Sequence, residues 1–197
     1  MQIYHVKQRL LLPLLFLTFA TPATDISMMG VKIGSSKQTL NKIALTVKGR
    51  EDNMIKYTTA NGNDFSVTTE QGKVVFMEND WLQNPAASQP LFSSFEFGKT
   101  SLRDIRKTMG TNGFTYTQRN SFTTETEIVE FNCFEFDSPN NEVLVTITKA
   151  ALQDHLTEAN VADHLKLDAL IITNKAYLDK TWGKEKVYDP NYKKIRL

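Results

Sequence analysis

Two stretches of this chain share a plan, and the plan limits the fold more than any other feature. Residues 29–47 read MGVKIGSSKQTLNKIALTV, and residues 94–110 read SFEFGKTSLRDIRKTMG. Each has a short apolar/polar lead-in, a glycine (Gly34, Gly98) and hydroxyl residues, then apolar residues at helical spacing. In the first these are Leu40, Ile43 and Val47; in the second, Leu102, Ile105 and Met109. The glycines lie 64 positions apart and the triplets 62, so the two copies align with a two-residue gap. An i, i+3, i+7 spacing predicts a helix that buries one stripe and wets the other. Ser101 and Asp104 form a capping pair at the start of the second helix, and Gly110 is placed to stop it.

Strand-like sequence follows both leads. After the first come residues 54–59, a turn at Asn61-Gly62, residues 65–69, a turn at Gln71-Gly72, and residues 74–78. Asn-Gly between alternating residues is a strong hairpin signal. After the second come residues 114–119, residues 127–136, a turn at Pro139-Asn140-Asn141, and residues 143–148. The expected fold class is therefore α+β: two tandem repeats, each a short helical lead on a three- to four-stranded antiparallel meander, plus a C-terminal extension. The repeats span residues 24–83 and 93–149. Residues 84–92, with Pro85 and Pro90 among small polar residues, read as a linker. Two three-stranded sheets side by side can join edge to edge and hide one vulnerable edge each. In the extension, 150–197, residues 150–156 suit a short helix. Leu165, Leu167, Ala169 and Ile171 alternate as in a strand, and residues 173–181 suit a helix ending at Gly183. The last residues read as an extended tail with a turn at Asp189-Pro190-Asn191.

The first 23 residues have the order of a secretory signal: positive (Lys7, Arg9), then apolar (residues 10–20), then small. The apolar run is 11 residues, against about 20 for a spanning helix. Cleavage is expected after Ala23, with Ala20 the second choice. The expected address is periplasmic or secreted, by bacterial signal-peptide export, with no stable membrane insertion after cleavage. Residues 1–23 carry two of the 23 Lys/Arg and none of the 22 Asp/Glu, so the mature chain has 21 against 22, a net of −1. That balance gives no electrostatic case for nucleic acid. Charge is uneven, however: residues 175–197 hold seven Lys/Arg and three Asp/Glu. A single cysteine, Cys133, makes no internal bridge, so the core alone must hold the fold.

Gly98-Lys99-Thr100 has the letters of a phosphate loop but not its context. The motif needs a glycine five residues earlier, where this chain has Ser93, and Glu96 would repel phosphate. These letters read as the start of a helix. The segment from Phe97 to Ile105, followed by Met109-Gly110, resembles a repeat of exported bacterial proteins. That family includes β-lactamase inhibitory protein and the small lipoproteins of the outer-membrane assembly machinery. The resemblance covers roughly residues 27–149 and implies a helical lead on a small antiparallel sheet, carried twice in some members. This chain departs from it in its longer C-terminus and in having no lipid-bearing Cys after the apolar run.

Candidate chemistry is sparse. His155 and His164 both sit in Asp-His-Leu, nine residues apart, which fits no common zinc spacing. Cys133 shares a strand face with Val129 and Phe131 and reads as a small buried hydrophobe. Carboxylate pairs such as Glu125/Glu127 and Glu51/Asp52 read as solvated. No nucleophile elbow and no H-E-x-x-H motif occurs. Neither a cofactor nor a metal is expected. Tyr57, Trp81, Tyr116, Trp182 and Tyr188 are the candidate partner-binding residues, because Tyr and Trp are favoured interface anchors; Tyr192 belongs to the same basic tail. The expected function is a non-catalytic protein-binding module, an inhibitor or immunity protein acting on an envelope protein. The alternatives are an accessory of envelope assembly and a small envelope hydrolase using His155 or His164.

Overall fold

Turn chemistry fixes the first half of the molecule. The structure, a computed structural model, describes residues 26–88, 90 and 95–196. Strand β1 (Thr46–Glu51) turns at Asp52 into β2 (Met54–Thr58), which passes through Gly62 into β3 (Asp64–Glu70). Gln71 and Gly72 then reverse the chain into β4 (Lys73–Asp80). Both residues of that turn have positive φ, 48° and 74°, the backbone that matches strand twist in a two-residue hairpin. All neighbours here are antiparallel. β1 was not expected. Its Val47, assigned from spacing to a helix, is 44% exposed on the sheet edge. The lead before it is a short 3-10 helix, Lys37–Lys42, which buries Leu40 and ends in extended backbone at Ile43. The β-branched, strand-favouring Ile43, Thr46 and Val47 explain why the helical turns do not continue.

The second lead is a true helix, α1 (Leu102–Met109). The Ser101 hydroxyl accepts from the Asp104 N–H at 3.1 Å, and the Ser101 N–H donates back to the Asp104 carboxylate at 3.3 Å. Gly110, at φ 65°, stops the helix as expected. Then follow β5 (Phe114–Tyr116), β6 (Ser121–Thr123), β7 (Glu127–Glu135) and β8 (Glu142–Ala151). The helix expected at 150–156 is absent. β8 continues to Ala151 because Ala150 and Ala151 pair with Ile128 and Glu127, and only one 3-10 turn follows, Leu152–Asp154. The last elements are α2 (Val161–His164), β9 (Lys166–Asn174), α3 (Lys175–Trp182) and β10 (Lys186–Tyr188). The fold is α+β, a largely antiparallel sheet with a few short helices. Among the described residues no helix is long and apolar enough to cross a membrane.

The sheets of the two halves do not pair with each other. Among the described residues one sheet runs β1-β2-β3-β4-β9-β8-β7-β5-β10, with β6 also on β7. The C-terminal extension thus supplies the central strand, β9, between β4 and β8. Leu167, Leu170 and Ile172 face one core, whereas Ile171 faces the other. A strand buried on both faces needs apolar residues at nearly every position, so alternation alone could not identify its neighbours. A bulge at Asp168 shifts the register, which places Leu167 and Ala169 on opposite faces.

Each face has its own cover. The residues preceding β1, together with Phe95, Phe97 and α1, close one side over Phe65, Val67, Phe134 and Leu144. α3 closes part of the other over Phe131, Val145 and Ile171, using Leu178 and Trp182. The expected linker is partly anchored: Pro85–Ala87 form a 3-10 turn, Ala87 is buried, and Asn63 donates to its carbonyl at 2.8 Å. Gln89 and residues 91–94 lie outside the described residues, as does the whole expected signal segment.

Candidate functional site

The five aromatic candidates divide by burial. Tyr57 and Tyr116 are core residues, 3% and 0% exposed, and Trp182 is buried as well. Tyr57 stacks on Phe65, while Tyr116 and Phe131 meet the Trp182 ring edge-on. The alternation of their strands turns Tyr57 and Tyr116 toward a core face, where aromatic burial favours them more than an interface does. Trp81 is half-buried, stacks on Phe97 and donates to the Asn84 carbonyl at 3.0 Å. Only Tyr188 presents a large surface, 48% exposed beside Val187. It packs against Tyr192, with ring centres 4.6 Å apart.

The histidines are apart from any cleft chemistry. His164 Nδ1 lies 3.6 Å from Asp154, beyond hydrogen-bond range, and both side chains are exposed. His155 is exposed, with left-handed backbone at φ 51°. Among the described residues no group of three or more His, Cys, Asp or Glu is placed to hold a metal ion. Cys133 is fully buried, and burial pushes its thiol far above the ordinary range, which leaves no thiolate for nucleophilic work.

The sheet assembles a different constellation, a row of charge drawn from five strands. Lys48 of β1 binds Asp64 of β3 at 2.7 Å. Asp64 is directly opposite Asp80 of β4. Asp80 is opposite Ala169 of β9, next to the bulged Asp168. Asp168 binds Lys149 of β8 at 2.8 Å. The order is cation, acid, acid, acid, cation, and the middle acid has no cation of its own. Among the described residues the Asp80 side chain makes no ion pair and no hydrogen bond.

Glu78 stands two residues from Asp80 on the same strand face, opposite Ser66. α3 covers the next part of that face, where Tyr177 meets Phe76 at 5.7 Å. Arg119, held over the Trp182 ring at 5.1 Å, sends its field toward Glu78. The row itself stays partly wet: the side chains of Lys48, Asp64 and Lys149 are 52, 31 and 30% exposed.

Electrostatics follow from this placement. Burial raises the Asp80 carboxyl to about 6, and Asp168 and Asp64 push the same way against Lys149. Burial also raises Glu78 to about 7, with Asp80 adding repulsion and Arg119 opposing it. Neither carboxylate is settled as an anion near neutral pH. Both groups bind protons more tightly folded than unfolded, so their contribution favours the fold in acid. It is lost as pH rises through about 6 and about 7. The double variant Glu78→Gln/Asp80→Asn is therefore expected to gain stability over the parent at pH 8, on the order of 1 kcal/mol. At pH 4 the gain should vanish. Urea unfolding at the two pH values checks this, and equal differences at both would remove the two carboxyls from the pH dependence.

Sequence reading missed the row because neighbouring members are far apart in the chain: 16 positions from Lys48 to Asp64, 16 from Asp64 to Asp80, 88 from Asp80 to Asp168 and 19 from Asp168 back to Lys149. Only strand pairing brings them together, and no local motif encodes it.

No family model matches the sequence, and no curated protein matches it. Among solved structures the chain is similar to a cysteine-rich secretory protein from Staphylococcus aureus subsp. aureus Mu50. The TM-score is 0.45 at 12% identity, over 87% of this chain and 53% of that one. It is also similar to an extracellular protein containing an SCP domain from Bacillus anthracis str. Ames. There the TM-score is 0.40 at 11% identity, over 97% of this chain and 56% of that one. The chain thus spans about half the length of these solved chains.

Proposed function

We propose that this protein is an exported, non-catalytic protein-binding module that docks a partner on the Asp80 half of its sheet. The observation that carries the reading is the bare Asp80 carboxylate between two ion pairs, Lys48–Asp64 and Lys149–Asp168. A Lys or Arg from a partner would relieve the repulsion among three acids and complete the alternation of charge. Such complementarity sets specificity and encounter rate. Export rests on the positive, apolar, small order of residues 1–23.

The tandem-repeat reading belongs to the same proposal. Gly34 and Gly98 both take left-handed φ, 83° and 71°, ahead of their leads. Each lead is followed by a meander, β1-β2-β3-β4 in one half and β5-β7-β8 in the other. These features support a relation to the β-lactamase inhibitory protein and assembly-lipoprotein repeat, and with it an inhibitor-like or assembly role.

The test is crosslinked affinity purification of the mature chain from the envelope and medium of its source cells. A protein should be recovered in stoichiometric amount, and Asp80→Lys should abolish its recovery. Capture should also strengthen from pH 5.5 to pH 8 as Asp80 ionises. The same recovery with Asp80→Lys, or a co-purifying small ligand in place of a protein, would overturn the reading.

A further inference from the structure

A second charged surface lies on the opposite side of the sheet, around the C-terminal turn of α1. One groove, of about 520 Å³, is lined by Arg103, Arg106, Lys107 and Glu158 together with Ala159 and Ala162. Another, of about 630 Å³, is lined by Lys193, Lys194 and Arg196 with Asp137 and Met109. Gly110 lines the first groove, and the Lys193 ammonium of the second lies 3.6 Å from where a Gly110 side chain would begin. The two grooves therefore flank one helix end.

Their cations are unequally engaged. Arg103 is held by Asp163, and Lys194 by Glu135 at 2.8 Å. Arg106 donates to the neutral Asn132 amide oxygen at 2.9 Å and makes no ion pair among the described residues, although its field reaches Glu130. Among the described residues Lys107, Lys193 and Arg196 make no ion pair, although Lys107 lies in the field of Asp104 on the same helix. Each groove has three cations against one acid.

We infer that these grooves bind an extended acidic peptide segment of a partner protein, an inference that rests on the protein-binding reading above. The cations line two grooves that flank one helix end, a layout that a narrow chain can follow from one groove to the other. Glu158 and Asp137 within the linings disfavour a uniformly dense polyanion and favour carboxylates spaced along a chain. Met109, Ala159 and Ala162 offer apolar contact between the charges. Arg106 donates to Asn132 through Nε and Nη2, and its Nη1 is the donor left for a carboxylate.

The experiment uses the full mature chain and a fluorescein-labelled peptide of alternating Glu and Gly, with its Gln counterpart as control. Anisotropy titration should show binding of the Glu peptide alone, weakening as salt rises. Lys107→Glu/Lys193→Glu should weaken it about tenfold or more, and Lys99→Glu, outside both grooves, should not. Unchanged binding in the double variant overturns the inference, even where partner capture still depends on Asp80. Preferential binding to phosphatidylglycerol vesicles or polyphosphate at equal charge also overturns it. Loss of peptide binding in the double variant supports it, and capture of a partner sensitive to Asp80→Lys is scored separately. The double variant should stay folded with a melt only slightly below the parent's, because neither lysine makes an ion pair among the described residues and an acid in the last turn of α1 costs about 1 kcal/mol or less.

Discussion

Gly113→Ala is expected to destabilise the protein by about 3 kcal/mol or more, lowering the melting temperature by roughly 6–12 °C. Gly113 has φ 79°, a left-handed backbone that a side chain resists. A Cβ there would overlap the Cys133 carbonyl oxygen and lie 3.2 Å from the Phe134 ring. The obstacle is backbone, not the end of a side chain. Cys133 cannot retreat easily, because it is opposite Val145 on one side and Phe114 on the other. The Gly113 carbonyl also accepts from the Asp189 N–H at 3.2 Å, tying the tail to the residue before β5. Gly49→Ala is the control: it has no left-handed φ and nothing within 4 Å of the added carbon. Thermal unfolding of both variants decides the point. An unchanged melt for Gly113→Ala would show that β7 yields where its pairing says it should not.

Asp179→Ala should be more damaging still, about 3–5 kcal/mol, because it strands a buried cation. The Lys186 side chain is only 6% exposed, and its ammonium meets Asp179 at 2.6 Å. The same carboxylate accepts from the Tyr116 hydroxyl at 2.7 Å and from Lys175 at 3.1 Å. Lys186 also sits 4.7 Å over the Tyr116 ring. Burial alone would raise the Asp179 carboxyl, but Lys186, Tyr116 and Lys175 together hold it below the ordinary range. A lowered folded value means the contribution is present above the ordinary carboxylate range and is lost as pH falls through that lowered value. The deficit of Asp179→Ala, measured by urea unfolding, should therefore be full at pH 7 and shrink in acid, below the ordinary carboxylate range. Adding Lys186→Met should recover much of it, since the stranded charge goes. A double variant no more stable than Asp179→Ala would mean that the charge is not the source of the loss.

The Gly98-Lys99-Thr100 letters illustrate how context changes a reading. Gly98 is required by Trp81, whose ring occupies the space a Cβ would need. The Gly98 N–H donates to the Leu167 carbonyl of β9 at 2.8 Å. Trp81, read from sequence as an interface anchor, lays its ring on that glycine and on Phe97. The motif thus joins a helix start to the central strand.

By itself the sequence determined what lies within a few residues: the Ser101–Asp104 cap, the Gly110 stop, the Gly62 and Gly72 turns, and most strands. Such features depend on backbone preferences and hydrogen bonds that close over three or four positions. Only the tertiary structure decided that β9 enters between β4 and β8, that Tyr57 and Tyr116 face the core, and that Asp64, Asp80 and Asp168 share one row. Strand partners are chosen by burial on both faces and by register across distant segments, and a one-residue bulge at Asp168 is enough to redirect them.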